Sequence, residues 1–220
     1  MNIDSVSVRG EEAVSSPVGM NASILTNIYQ PQHNIALWKR TLNSEITDSL
    51  DSMLEELSDL ALVQTVTPDD AAQWVRGKLD GYMCAEALSK DIALIVDMFC
   101  CLFDVAEAGL RLTALDKPMC PKFHVDHVPC RLVSTYAGSA TQWLDNNDVD
   151  RTKLGAGSLG LPDNQSGLYA SNQVIRQMDA GDVALLKGSG WEGNEDTGLV
   201  HRSPQAMVSE RRLLLTLDMV

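Results

Sequence analysis

The chain is short of positive charge. It carries 17 lysines and arginines against 30 aspartates and glutamates, a formal net charge of −13 over 220 residues. A surface of that sign repels phosphates, and no run of Lys and Arg offers a local exception. Nucleic acid is therefore not an expected partner. Long apolar runs are missing as well. The longest, "IALIVDMFCCLF", is broken by Asp97 and falls short of the ~20 residues a membrane helix needs, so no membrane partner is expected either. The opening "MNIDSVSVRGEEAVSSPVGM" lacks a basic stretch leading into an apolar one, so no signal peptide is expected. Cysteines are few and odd in number: Cys84, Cys100, Cys101, Cys120 and Cys130. Two of them adjoin within an apolar run, which is no secreted disulfide framework. A reducing cytoplasm is the expected location.

What is present suits one sizeable globular domain. Apolar residues make up 45% of the chain, and 220 residues can bury a core without staples. Residues 1–20 are rich in Ser, Val, Gly and charge without a period, and read as a mobile or loosely docked tail. Residues 21–110 read as a helical region, its signal running over 43–110. Asn43 or Ser44 can cap "SEITDSLDSMLEELSDLALV", where Ile46, Leu50, Met53, Leu54, Leu57 and Leu60 recur at helical spacing. Thr67, Pro68 and two aspartates announce a second helix. Ser89 can start a third, apolar on most faces and ending near Gly109.

Beyond residue 110 the texture changes. Short apolar runs, "LRLTAL", "CRLVSTYAG", "QVIRQM", "DVALLKG", "TGLVHR" and "RRLLLTLDM", alternate with Gly, Pro, Asp and Ser. Frequent turns between short strands predict an antiparallel sandwich or barrel over 111–220. The expected fold class is α+β, with a helical layer packed on that barrel. The polar stretch 145–167, including "GAGSLG", reads as a loop or flexible lid.

Chemistry concentrates in "CPKFHVDHVPC", residues 120–130. If "FHVDHV" is a strand, His124 and Asp126 point to one side and His127 to the other. His124 and Asp126 can then be two ligands of one metal. The third would be His201, in the strand-like "GLVHRSP". Two histidines and a carboxylate on one face leave three octahedral positions open, the arrangement of non-haem Fe(II) oxygenases. A 2-oxo acid cosubstrate would chelate two of those positions, and its far carboxylate needs a cation. Arg211 and Arg212 lie ten and eleven residues after His201. Alternation groups Arg211 with Leu213, Leu215 and Leu217, read here as the inward set, so Arg211 is favoured and Arg212 stays open. Parity favours Tyr136 over Thr135 as a cosubstrate-pocket residue, provided no bulge intervenes. Trp143 and Trp191 read as core or rim.

"HVD", then "HRSP" 75 residues after Asp126, then an arginine ten or eleven later, resembles the Fe(II)/2-oxoglutarate-dependent oxygenases. The resemblance implies a double-stranded β-helix, a jelly-roll barrel with helices outside, and a dioxygenase using Fe(II) and 2-oxoglutarate on a small-molecule or protein substrate. The Arg-x-Ser pattern of some members is absent. "CPKFHVDHVPCRLVSTYAGSATQWL" with "GDVALLKGSGW", "VHRSP" and "RRLLLTLD" more closely resembles a bacterial family of domains of unknown function. A rival reading is a non-catalytic zinc or divalent-metal protein. It would bind through Cys120, His124, His127 and Cys130, and would need a loop or helical turn where alternation predicts a strand.

Overall fold

The structure, a computed structural model, describes residues 16–205 and 210–220. In chain order it has β1 (Val18–Gly19), a 3-10 helix (Ala22–Tyr29), β2 (Ile35–Trp38), α1 (Ser44–Glu56), β3 (Ala61–Val66), α2 (Pro68–Lys78) and α3 (Ala85–Phe103). Then follow β4 (Ala108–Leu115), β5 (Cys130–Ala137), β6 (Gln142–Leu144), α4 (Asp163–Ser166), β7 (Arg176–Gln177), β8 (Val183–Lys187), β9 (Val200–Arg202) and β10 (Arg212–Met219).

Helix starts follow local chemistry. The Asn43 side chain accepts from the Glu45 amide at the head of α1. Thr67 and Asp70 form a reciprocal capping box on α2, with Pro68 in its first turn. α3 begins at Ala85, four residues before Ser89, and ends on Asp104 in the left-handed region (φ 52°). The helix expected to run on through Leu60 stops at Glu56. Leu57 leaves helical geometry (φ −104°, ψ 49°), and Ala61–Val66 become β3. That strand pairs antiparallel with β4, from Ala61 opposite Thr113 to Val66 opposite Ala108. Local periodicity could not anticipate this, because β4 offers an edge whose backbone groups need partners.

Two sheets organise the strands. The larger has the order β1-β2-β8-β5-β10-β4-β3, the smaller β7-β6-β9. His124 adds a single antiparallel bridge to β9 opposite His201. Of the expected strands, "QVIRQM" is strand only at Arg176–Gln177, and "FHVDHV" contributes that one bridge. From β4 onward the chain passes alternately between sheets: β4, the His124 bridge, β5, then β6 and β7, β8, β9, β10. The expected tail at 1–20 lies outside the described residues up to 15. Beyond that, Val18 and Gly19 pair in parallel with Leu37 and Trp38.

Side chains sort onto three surfaces. One face of the large sheet, with Leu110, Leu112, Leu132, Leu185, Leu213, Leu215 and Leu217, packs with Ile46, Leu50, Val75, Leu88, Ile92 and Phe99 of the helices. Each such burial is worth roughly 1.5–3 kcal/mol. The other face, with Ile35, Leu37, Val133, Ala184 and Leu186, meets Trp143, Met178 and Leu199 between the sheets. Phe123, Leu144 and Val200 line the far side of the small sheet and are covered by Leu168, Val149, Leu154 and Tyr169. The segment read as a flexible lid is thus a roof over the small sheet, with 3-10 turns at Arg151–Lys153 and Gly155–Ser158. Among the described residues no helix is long and apolar enough to cross a membrane.

Candidate metal centre

His124 and His201 face each other across an antiparallel pair, and residues directly opposite in such a pair project to the same side. Their ring centroids lie 4.6 Å apart. Each imidazole has its Nδ1 against a carbonyl of its own strand: Lys122 at 3.0 Å for His124 and Leu199 at 3.1 Å for His201. Those contacts make Nδ1 the proton-bearing atom toward the carbonyl in each ring and leave both Nε2 atoms turned toward Asp126. His124 Nε2 is 3.6 Å from Asp126 Oδ1, and His201 Nε2 is 3.6 Å from Oδ2. One donor atom from each residue lies within 4.8 Å of the other two, the sole such cluster of three or more among the described residues.

The turn that carries Asp126 is held by close backbone approach. Ser189 N donates to the Asp126 carbonyl at 2.9 Å. At Gly188 any Cβ would run into the carbonyl oxygens of Asp126 and Val128. The "KGSG" run therefore has a steric role here.

Electrostatics prepare the three groups for a cation. Burial opposes the charge on Asp126, yet the neighbouring His124 imidazole and the charges of His201 and Arg131 outweigh it and hold the carboxyl down at about 2. Burial pushes His201 down to about 4 against the pull of Asp126, so its imidazole is neutral at pH 7. His124 is raised by the Asp126 carboxylate beside its Nε2, with burial opposing. The donor set, two imidazoles and one carboxylate with no thiolate, suits Fe(II) in a facial site.

Other expected residues fall elsewhere. Tyr136 faces the helical layer, where its hydroxyl donates to Asp91 Oδ2 at 2.6 Å. Residues 127–129 form bends that interrupt alternation, so Arg131 and Val133 share the inner face while Cys130, Leu132 and Tyr136 face the helices. A register shift follows, because Leu213 pairs with Ala137 but Leu214 with Thr135. The set Leu213, Leu215 and Leu217 also faces the helices, so the inward reading of that set is corrected. Arg211 donates to the Leu54 carbonyl at the end of α1. Arg212 shares parity with Leu214, Thr216 and Asp218 on the opposite face. It is 1% exposed, its Nε donates to Ser139 O at 2.5 Å, and both its Nη atoms are buried without a hydrogen-bond partner among the described residues.

The zinc knot does not assemble. Cys130 is fully buried against the helices, where burial raises its thiol pKa, while Cys120 is exposed. His127 is partnered instead with Ser189 Oγ at 3.1 Å. Trp143 packs between the sheets, and Trp191 packs on Tyr29 and Phe103.

Two residues escaped the sequence reading. Arg131 donates to Asp126 Oδ2 at 2.8 Å and also pairs with Asp218. Their signal was a charge set within each of two apolar strands, Arg131 in "CRLVSTYA" and Asp218 in "RLLLTLDM", since a charge on a buried face needs a partner.

Fold and site together define a mixed α+β protein that gathers a His–Asp–His triad able to hold a metal ion. The chain belongs to the family described as "Protein of unknown function (DUF1826)", whose model matches residues 19–218. No curated protein matches it. Its fold is shared with Fe(II)/2-oxoglutarate oxygenases. The rice dioxygenase for auxin oxidation is 12% identical with a TM-score of 0.51, over 94% of this chain and 83% of its own. The 2-oxoglutarate complex of dioxygenase for auxin oxidation 1 from Arabidopsis thaliana is 10% identical with a TM-score of 0.51, over 94% and 92%.

Proposed function

We propose that this chain is a non-haem Fe(II)/2-oxoglutarate-dependent dioxygenase on a double-stranded β-helix, hydroxylating a small-molecule or protein substrate. The observation that carries the reading is the convergence of His124 Nε2, Asp126 and His201 Nε2 on one point. The alternating passage of the chain between the two sheets supports the barrel. The partner-free Nη pair of Arg212, on the inner-face parity of β10, supports a bound carboxylate.

Bound Fe(II) would supply dioxygen activation coupled to oxidation of the cosubstrate to succinate and carbon dioxide. The chain's own residues do the rest. Lys122 and Leu199 carbonyls orient the imidazoles through Nδ1, so no ring rotation is needed on binding. His124, Asp126 and His201 would hold the metal with three donors and leave it able to accept a chelating 2-oxo acid. Arg212 would take the far carboxylate through its two Nη groups, a planar fork matched to a planar anion. Ile35, Val133, Trp143 and Leu186 keep the inter-sheet space apolar and limit water.

The test is anaerobic. Purified chain loaded with Fe(II) and then 2-oxoglutarate should develop the weak visible charge-transfer band of the chelated cosubstrate. Absence of that band, with no succinate formed under air, would overturn the reading.

A further inference from the structure

Behind Asp126 stands a row of four alternating charges. Arg131 Nη1 donates to Asp126 Oδ2 at 2.8 Å. The same guanidinium grips Asp218 through its other edge, Nε to Oδ1 at 2.8 Å and Nη2 to Oδ2 at 2.9 Å. Arg111 Nη1 then donates to Asp218 Oδ2 at 2.7 Å. The sheet builds this row directly. Asp218 lies opposite Arg131 on β5, and Arg111 lies opposite Thr216 on β4, a diagonal neighbour of Asp218. Side chains of Asp126, Asp218 and Arg131 are 14%, 11% and 23% exposed, so water screens the pairs weakly. Only one arginine edge points at Asp126, because the other is held by Asp218.

We propose that Arg131, held in orientation by Asp218, is a positioning residue that sets how Asp126 binds metal. This rests on the oxygenase reading for its consequence. Each carboxylate oxygen lies 3.6 Å from one imidazole, Oδ1 from His124 and Oδ2 from His201, but the guanidinium occupies Oδ2 and makes it the poorer donor, leaving Oδ1 as the single ligating atom. A one-oxygen carboxylate keeps the protein donors at three and leaves three octahedral positions. A two-oxygen carboxylate would take a fourth position, and a chelating cosubstrate plus a third ligand would no longer fit. Arg131 would thus protect the open positions without touching cosubstrate. Lysine is no equivalent, since a single ammonium nitrogen cannot keep the bidentate grip on Asp218 and place a fixed donor on Asp126 Oδ2 as well.

The experiment uses the full chain with Arg131→Lys, Arg131→Met and Asp218→Asn, checked for folding by thermal melt and near-UV circular dichroism. Co(II) alone is the first probe, because its d–d intensity reports coordination number. Arg131→Lys and Arg131→Met should still bind one Co(II), with a d–d spectrum changed from the parent before any cosubstrate is added. Their 2-oxoglutarate affinity, measured by titration of the metal-loaded protein, should fall by about 10-fold or more, the lower end of what loss of an outer partner of a metal ligand costs in metal affinity or activity. Asp218→Asn should change both in the same direction by less. An unchanged Co(II) spectrum in folded Arg131→Met overturns the proposal. So does a loss of cosubstrate affinity that merely tracks loss of metal and of melting temperature. If the parent chain gives no charge-transfer band with Fe(II) and 2-oxoglutarate, the oxygenase reading fails. The Co(II) comparison still decides whether Arg131 sets the carboxylate.

Discussion

His124 and His201 exchange two backbone hydrogen bonds, amide to carbonyl at 3.0 Å in each direction. That one bridge joins residues far apart in the chain and points both imidazoles the same way. Asp126, two residues beyond His124, then meets both rings. The triad is thus built by backbone pairing, and its side chains only complete it.

Removing a ligand should abolish metal binding without unfolding the chain. His124→Ala is the cleanest case, because that side chain is a third exposed. Its Fe(II) or Co(II) affinity should fall by more than the roughly 10–100-fold that loss of an outer partner costs. Anaerobic metal titration beside a thermal melt measures both. Unchanged affinity would remove the triad from the metal reading.

The two neighbouring arginines should separate. Arg212→Met should leave metal affinity intact and abolish 2-oxoglutarate binding, while Arg211→Met should leave both unchanged. Without cosubstrate, Arg212→Met should also stabilise the protein by about 1–4 kcal/mol, because it removes a buried charge whose Nη atoms lack partners. Denaturant melts with and without 2-oxoglutarate would show the sign reverse.

Tyr136 predicts an alkaline limit on stability. Burial raises its phenol well above the ordinary 10, and the Asp91 carboxylate adds to this while Arg40 opposes. A raised folded-state pKa means the contribution is fully present below pH 10 and is lost as pH rises toward the folded value, since the unfolded chain releases its proton first. Tyr136→Phe should flatten that alkaline fall. Near neutral pH it should cost about 1.5–3 kcal/mol for the lost bond to Asp91. Urea melts across pH 8–11 are the measurement.

The cysteines should prove dispensable for metal. Cys120→Ser should change neither stability nor metal affinity. Cys130→Ser should leave metal affinity unchanged and destabilise by about 1–3 kcal/mol, because a hydroxyl replaces a thiol in the apolar layer under α3. Loss of metal in either variant would revive the zinc reading.

Gly188→Ala tests the support beneath Asp126. Its Cβ has no room against the Asp126 and Val128 carbonyls, so the turn must move. Metal affinity should fall together with melting temperature, whereas Gly193→Ala on the same loop, strained by its φ of 79° but with open space around its Cβ, should lower melting temperature and spare metal affinity.

Much was written locally. Asn43 and the Thr67–Asp70 capping box start their helices from neighbouring residues alone. "CRLVSTYA", "VALLK" and "RLLLTLDM" are strands because short β-prone runs are bounded by breakers. The pair His124 and Asp126, and the choice of His201, came from residue type and spacing. Tertiary structure decided what alternation leaves open. Period two divides a strand into two faces without saying which one meets the second sheet. Leu213, Leu215 and Leu217 took the helices, which turned Arg212 inward and Arg211 out. β3 is a strand because β4 offered it an edge. Arg131 and Asp218 met because β5 and β10 are neighbours in the sheet, a pairing between residues 87 apart that no local pattern encodes.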